Sequence, residues 1–130
     1  MKSNRVVLDT NVIFSAINSP DGVSASLFHM FLNEELEIVY SDDILNEYRA
    51  VLSRHFELDD VNAIIEAVRE LGVSCTEYVH EREFISPDPT DHIFYDAAML
   101  ANSYLVTWNL KHYPKESFIL KPPDYLKLYQ

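Results

Sequence analysis

Short apolar runs alternate with helical patterns along most of this chain. Runs rich in Val, Ile, Tyr and Phe predict five β-strands, at residues 5–9, 36–41, 74–80, 104–108 and 118–120. Helical periodicity predicts five helices, at residues 12–17, 23–33, 43–54, 58–71 and 91–103. Because alternating strands and helices form a parallel sheet with helices on both faces, we expect an α/β architecture.

Individual residues mark where these elements begin and end. Gly72 follows the fourth predicted helix, at the position of a C-terminal cap glycine. Ser41 or Asp42 is expected to cap the third helix with its side-chain oxygen. Pro122 and Pro123 end the last predicted strand and leave a short amphipathic tail.

The composition favours one globular domain that spans residues 1–130. Hydrophobic residues make up 48% of the chain, which is enough for a core and argues against disorder. No apolar run approaches the roughly 20 residues of a transmembrane helix, so we expect no association with membranes. The basic N-terminus leads into an apolar stretch that Asp9 and Asn11 interrupt, which argues against a cleavable secretion signal.

Cysteine, glycine and charge narrow the classes of site. Cys75 is the only cysteine, which excludes an internal disulfide and a cysteine-based zinc cluster and favours a reduced, cytoplasmic setting. The two glycines, Gly22 and Gly72, cannot form a glycine-rich phosphate loop. A net charge of −11 argues against a broad basic surface for nucleic acid.

The charge is unevenly distributed along the chain. Residues 104–130 hold four lysines and two acidic residues, so this end is locally cationic and could contact a phosphate backbone. The acidic remainder serves either solubility or the binding of a basic protein partner.

Asp9 is the first candidate for chemistry. It follows the apolar run Val6-Val7-Leu8, which is typical of a central strand in a parallel sheet. Open α/β sheets bind their ligands at the carboxyl ends of the strands, where Asp9 is expected to lie. The alternative role for Asp9 is to cap the helix that follows through Thr10 and Asn11.

Two further acids could converge on Asp9. Glu47 borders the apolar face of the third predicted helix and could tilt toward the sheet edge, although a solvated charge is the common fate of such a residue. Asp91 opens the fifth predicted helix after a proline-rich turn, and its alternative role is a helix cap, for which Thr90 and Asp88 compete. Three carboxylates at one edge would indicate a divalent metal ion.

The segment after the fourth predicted strand carries further polar candidates. Asn109 reaches the same edge if that strand neighbours the first one, and its amide is a weak ligand or a turn residue. Lys111 and His112 follow it, as phosphate contacts or as ordinary surface residues.

Four segments together resemble the PIN domain, a family of metal-dependent nucleases. The resemblance rests on their order, spacing and context, and they lie at residues 6–11, 41–47, 87–98 and 104–109. It implies a three-layer α/β/α sandwich with a mostly parallel central sheet of about five strands.

The resemblance also implies the site. Asp9, Glu47 and Asp91 would hold Mg²⁺ or Mn²⁺, with Asn109 and Asn11 in support. The family often has an acid where this chain has Asn109, which puts a second ion in doubt. A bound ion would remove the repulsion between the acids and acidify a water for attack on a phosphodiester.

Small members of the family imply the biology and the partners. Many resemble the RNA-cutting toxin of a bacterial or archaeal toxin–antitoxin pair, which implies an RNA substrate, an antitoxin protein and a homodimer. Trp108 stands where a small residue is usual, so it either narrows the pocket or stacks on a base.

Two rival functions remain to be weighed. A phosphatase of the haloacid dehalogenase type needs a second Asp two residues after the first, and Asn11 occupies that position, which argues strongly against it. A catalytically silent PIN fold that acts as a binding module is the stronger rival, with the acidic helix predicted at residues 58–71 as its surface.

Overall fold

The computed structural model describes residues 4–75 and 91–129, and at residue 91 the backbone alone. Within these ranges the strands are β1 (Arg5–Leu8), β2 (Glu37–Tyr40), β3 (Val73–Ser74), β4 (Tyr104–Val106) and β5 (Ile119–Leu120). The helices there are α1 (Thr10–Asn18), α2 (Val23–Leu32), α3 (Asp42–Leu52), α4 (Leu58–Leu71), α5 (Asp91–Ala101) and α6 (Pro122–Tyr129). A short 3₁₀ helix covers Leu110–His112.

The strands form one parallel sheet in the order β3-β2-β1-β4-β5. Strand β1 lies at the centre, where Val6 is opposite both Ile38 of β2 and Tyr104 of β4. Val6, Val7 and Leu8 are almost completely buried, as expected for a strand covered by helices on both faces. The predicted α/β/α fold with a parallel central sheet is confirmed.

Helices α1 and α3 begin where side chains favour a turn into helix. Ser41 is the cap of α3, because its Oγ accepts a hydrogen bond from the Ile44 N–H at 3.1 Å. Helix α1 begins at Thr10, two residues earlier than predicted. Asp9 directly precedes it and has an extended backbone. The carboxylate of Asp9 therefore lies at the junction between β1 and α1.

Gly72 occupies the predicted place for a different physical reason. Its backbone is extended, with φ −83° and ψ −180°, so it is not a left-handed helix cap. A Cβ added there would lie 2.7 Å from the carbonyl oxygen of Ile38 in β2, and closer still to that of Val68. Glycine is needed because α4 and β2 approach each other at this point.

The chain after Pro122 forms a helix instead of only a tail. Both prolines lie in the first turn of α6, where the missing N–H would have had no helical partner. Tyr125 is fully buried, and the Tyr129 hydroxyl donates to the Glu35 carbonyl at 2.6 Å. These contacts pack the end of the chain against the rest of the fold.

Some predictions fall outside the described residues. Of the third predicted strand, only its beginning is described, as part of β3, and Asp88 and Thr90 are not described. Within residues 4–75 and 91–129, no helix combines the length and the hydrophobicity needed to cross a membrane.

Candidate functional site

Asp9 lies at the carboxyl edge of the sheet, between β1 and β4. Its backbone N–H donates to the carbonyl of Val106, the last residue of β4, at 3.0 Å. The residue is only 7% exposed, which is unusual for an aspartate. The adjacent pairing of β1 and β4 brings the segment after β4 to the same edge.

Two hydroxyl groups hold one oxygen of the Asp9 carboxylate. Thr107 Oγ1 and Tyr113 Oη each donate to Asp9 Oδ2 at 2.9 Å. Burial raises the pKa of Asp9 above its ordinary value, and the bonds from Tyr113 and Thr107 only partly counteract this. The backbone N–H groups of Thr10 and Asn11 also lower the pKa, although neither makes a helix-cap hydrogen bond to the side chain.

Thr107 connects Asp9 to its surroundings. Its oxygen accepts from the Asn11 side-chain amide at 3.3 Å and from the Asn109 N–H at 3.0 Å. Because both lone pairs of the hydroxyl are occupied, its proton is directed to Asp9. Thr107 therefore presents a donor of fixed direction to the carboxylate.

Asn11 and Asn109 both lie near this network, in different ways. The Asn11 amide oxygen accepts from the Trp108 N–H at 3.1 Å, so both ends of this amide are used to join α1 to the segment after β4. Asn109 is exposed, and its backbone groups bond to Thr107 and to His112. The side-chain amide of Asn11 is therefore fixed by hydrogen bonds at both ends, whereas Asn109 is exposed to solvent.

Tyr48 joins the elements that carry the other two acids. Its hydroxyl donates to the Leu8 carbonyl at 2.6 Å, and its ring stacks on Phe94 of α5 with centroids 6.2 Å apart. Tyr48 is fully buried, and burial followed by the charge of Asp9 raises its pKa. The hydroxyl therefore stays protonated as a donor.

The contacts of Tyr48 connect the chain neighbours of all three predicted acids. Leu8 precedes Asp9, Tyr48 follows the half-buried Glu47, and Phe94 lies three residues after Asp91. The backbone positions of the acids are therefore brought to one region of the molecule. The side chain of Asp91 lies outside the description, and among the side chains that are described no group of three His, Cys, Asp or Glu could hold a metal ion.

The surroundings of Asp9 fit a hard cation. No described side chain hydrogen-bonds to Asp9 Oδ1, since both such bonds end on Oδ2. The hydroxyl of the neighbouring Thr10 is buried and has no hydrogen-bond partner within the described part of the chain, so it is a further polar group at this junction that the protein leaves unsatisfied. Carboxylate oxygens are the ligands that Mg²⁺ and Mn²⁺ prefer.

Sequence reasoning missed several residues of this site. Thr107 is a polar residue at the end of an apolar strand, next to the expected edge, and that signal could have identified it. Tyr113 has no such signal, because it follows the 3₁₀ helix and only the fold brings its hydroxyl to Asp9. Ser24, which accepts a hydrogen bond from the Trp108 indole at 3.0 Å, was missed for the same reason, because only the fold brings the two residues together.

A cleft of about 330 Å³ lies beside Tyr113. Lys111 and Lys115 both line it, together with Leu110 and Ile119. The wall of this cleft includes Tyr113, whose hydroxyl donates to Asp9, so the two lysines line a cleft that is one residue removed from the carboxylate.

Comparison with known proteins gives both a family and a structural relative. The PIN domain family matches residues 5–111. A crystal structure of VapBC2 from Rickettsia felis, bound to a DNA fragment from its promoter, contains a chain with the same fold at a TM-score of 0.61. The two chains are 20% identical over 90% of this chain and 97% of that one.

No curated protein matches this chain significantly. The family match nevertheless covers most of the sequence, including Asp9, Glu47 and Asp91 and the strands and helices that carry them. The chain therefore belongs to the PIN domain family.

Proposed function

We propose that this protein is an endoribonuclease that hydrolyses RNA phosphodiester bonds with Mg²⁺ or Mn²⁺. Asp9, Glu47 and Asp91 are its metal ligands in this proposal. The observation that supports it most is the contact of Tyr48 with both Leu8 and Phe94, because these three residues lie one to three positions from Asp9, Glu47 and Asp91 in the chain. Three carboxylates close together would repel one another unless a cation were bound.

The chain's own residues prepare the Asp9 carboxylate. Thr107 and Tyr113 hold Oδ2, so that the side chain cannot rotate freely, and among the described residues no side chain donates to Oδ1, which we propose as the oxygen that binds the cation. When bound, the divalent ion supplies positive charge at the phosphate and acidifies the attacking water. Asn109 adds no negative charge, so we expect any second ion to bind more weakly.

Cationic side chains near the site suit a polyanionic substrate. Lys111 and Lys115 line the cleft beside Tyr113, and they can contact phosphates that flank the cut bond. Since the molecule as a whole carries a net charge of −11, these two lysines and the bound ion are the local means of attraction.

The test is cleavage of a labelled single-stranded RNA in Mn²⁺, with and without EDTA. We expect EDTA and Asp9→Asn each to reduce the rate at least about 100-fold, because a ligand or the ion itself is lost. Glu47→Gln and Asp91→Asn should also reduce it. Asp43→Asn is the matched control, since Asp43 is an exposed acid on the same helix as Glu47.

The control variant should cut RNA at the wild-type rate. Cleavage that survives both EDTA and Asp9→Asn would contradict the metal mechanism. Cleavage that survives Asp91→Asn alone would remove that residue from the ligand set and leave the rest of the proposal standing.

We further propose that the protein is the toxin of a toxin–antitoxin pair, as many small PIN proteins are, and that it forms homodimers. Expression in bacterial cells should then arrest growth, whereas Asp9→Asn should not. Co-expression of an open reading frame adjacent to the gene should restore growth. Sedimentation of the purified protein measures the dimer.

A binding module without catalysis is the second candidate. It is favoured by the exposed acidic residues of α4, which include Asp59, Asp60, Glu66 and Glu70. This candidate predicts full folding, no cleavage of RNA and no gain in melting temperature with Mn²⁺ beyond that caused by ionic strength.

A further inference from the structure

Trp108 is the single tryptophan of the chain, and it lies immediately after β4. The two residues before it, Val106 and Thr107, are completely buried, whereas Trp108 is 36% exposed. A large aromatic side chain is therefore presented to solvent directly beyond the central part of the sheet.

Two hydrogen bonds hold Trp108 in place. The indole Nε1 donates to Ser24 Oγ at 3.0 Å, and Ser24 itself is almost fully buried in the first turn of α2. The backbone N–H of Trp108 donates to the Asn11 amide oxygen at 3.1 Å. A ring that is already fixed loses little conformational freedom when a ligand packs against it.

The same contacts place Trp108 beside Asp9. Asn11 binds both Trp108 and Thr107, and Thr107 donates to the Asp9 carboxylate. Lys111 and Lys115 follow a few residues later and line the neighbouring cleft. Trp108 is therefore an exposed indole joined through Asn11 and Thr107 to the buried Asp9 carboxylate, and the two lysines follow it within seven residues of the chain.

We propose that Trp108 is a stacking platform for an unpaired base of single-stranded RNA next to the bond that is cut. This inference rests on the proposed function and adds to it a residue that binds substrate. Base stacking suits an acidic protein because the face of a base is uncharged and is not repelled by the carboxylates. Stacking also favours single-stranded over double-stranded RNA, whose bases are already stacked.

The fluorescence of the single tryptophan tests this directly. A ten-nucleotide single-stranded RNA is titrated into the wild-type protein in EDTA, at fixed salt, so that binding is measured without cleavage. The matched probe has the same phosphates but abasic sites at its central positions. We expect the base-bearing strand to quench the emission and to bind about 10-fold more tightly than the abasic one.

Substitutions then separate stacking from a structural role. Because variants at position 108 lack the reporting indole, their binding is measured by the fluorescence anisotropy of end-labelled strands, with the wild type measured in the same way. Trp108→Leu should weaken binding of the base-bearing strand about 10-fold and bring it to the level of the abasic strand. Trp108→Phe, which keeps a ring, should restore part of the difference between the two probes. Leu58→Ala is the control, since Leu58 is an exposed apolar residue at the start of α4.

A merely structural Trp108 would lower the melting temperature of the variants and leave the ratio of the two affinities unchanged. Equal quenching by base-bearing and abasic strands would overturn the inference, even if the protein cuts RNA. Conversely, quenching by the base-bearing strand alone in a protein that cuts no RNA would support the stacking role and remove the nuclease proposal.

Discussion

Asp9 is a buried carboxylate surrounded by neutral donors. Its side-chain hydrogen bonds come from the hydroxyl groups of Thr107 and Tyr113, and in the described part of the chain no ion pair involves it. Burial of a charge without a counter-ion is unfavourable, and the raised pKa of Asp9 is the consequence. Binding of a cation to this carboxylate would reverse the effect.

Asp9→Asn should show this through the dependence of stability on pH. The folded-state pKa of Asp9 is raised above its ordinary value of 3.8, so its contribution to stability is full below that value and is lost as pH rises through the folded pKa. In EDTA, the wild type should therefore lose stability relative to Asp9→Asn as the pH rises from about 4 through the folded-state pKa. Each tenfold change in proton affinity corresponds to about 1.4 kcal/mol in this difference.

Urea denaturation of both proteins across this pH range measures the effect. With saturating Mn²⁺ the sign should reverse, because the ion binds the deprotonated carboxylate and its stabilising effect grows with pH. A difference in unfolding free energy that is flat with pH in EDTA would contradict the raised pKa.

Thr107→Val isolates the hydrogen-bond network. Valine has the shape of threonine but leaves the Asn11 amide and the Asn109 N–H without their acceptor, and Asp9 without one donor. We expect a loss of about 2 kcal/mol in the free energy of unfolding and slower RNA cleavage. Tyr113→Phe, which removes one hydrogen bond to the same carboxylate, should reduce the free energy of unfolding by less. An equal or larger reduction for Tyr113→Phe would show that Thr107 is not the centre of the network.

At the scale of elements, close approaches between neighbours hold the site in place. Tyr48 of α3 contacts β1 through Leu8 and α5 through Phe94, so three elements meet at one side chain. Farther from the site, α4 and β2 approach so closely that only glycine fits at residue 72. The second contact concerns packing alone and can be tested without affecting the site.

Gly72→Ala should destabilise the protein by about 2 kcal/mol, because the added methyl group must push apart the carbonyls of Val68 and Ile38. Gly22→Ala is the matched control, since a Cβ there would lie 3.2 Å from the Ser19 carbonyl oxygen, where a small shift is enough. Thermal melting of both variants measures the difference. Equal melting temperatures would show that α4 and β2 can separate at no cost.

At the scale of the whole molecule, a shared cation should couple distant parts of the chain. The proposed ligands come from the end of β1, from α3 and from the start of α5, so binding links segments that are far apart in sequence. The free energy of binding then adds to the stability of the entire fold.

Mn²⁺ at about 100 times its dissociation constant should stabilise the fold by about 2.7 kcal/mol and raise the temperature of a single unfolding transition. Because the net charge is −11, any salt reduces self-repulsion, so NaCl at equal ionic strength is the necessary control. Glu47→Gln should reduce the gain from Mn²⁺, whereas Asp43→Asn should not. An equal gain from Mn²⁺ and NaCl would remove the metal site, and two separate transitions would contradict our proposal of a single domain.

The sequence by itself determined the architecture and the first candidate residue. Apolar runs and helical periodicity report which residues are buried, so the parallel sheet and the place of Asp9 at the end of β1 follow from local pattern. The sequence also predicted Ser41 as a candidate cap of α3, because the capping hydrogen bond joins residues only three positions apart. The end of the last strand before Pro122 was also predicted, but the helix α6 that Pro122 and Pro123 open was not, since the same residue type stops one element and begins another.

Only the tertiary structure decided what surrounds Asp9. The donors from Thr107 and Tyr113 lie 98 and 104 residues away along the chain, and contacts of that range leave no periodic trace in the sequence. They arise because β4 pairs beside β1 and carries the following segment to the same edge. Close packing between elements also explains why only glycine fits at residue 72 and why the Trp108 indole is anchored on Ser24. The sequence does not specify which elements become neighbours in this way.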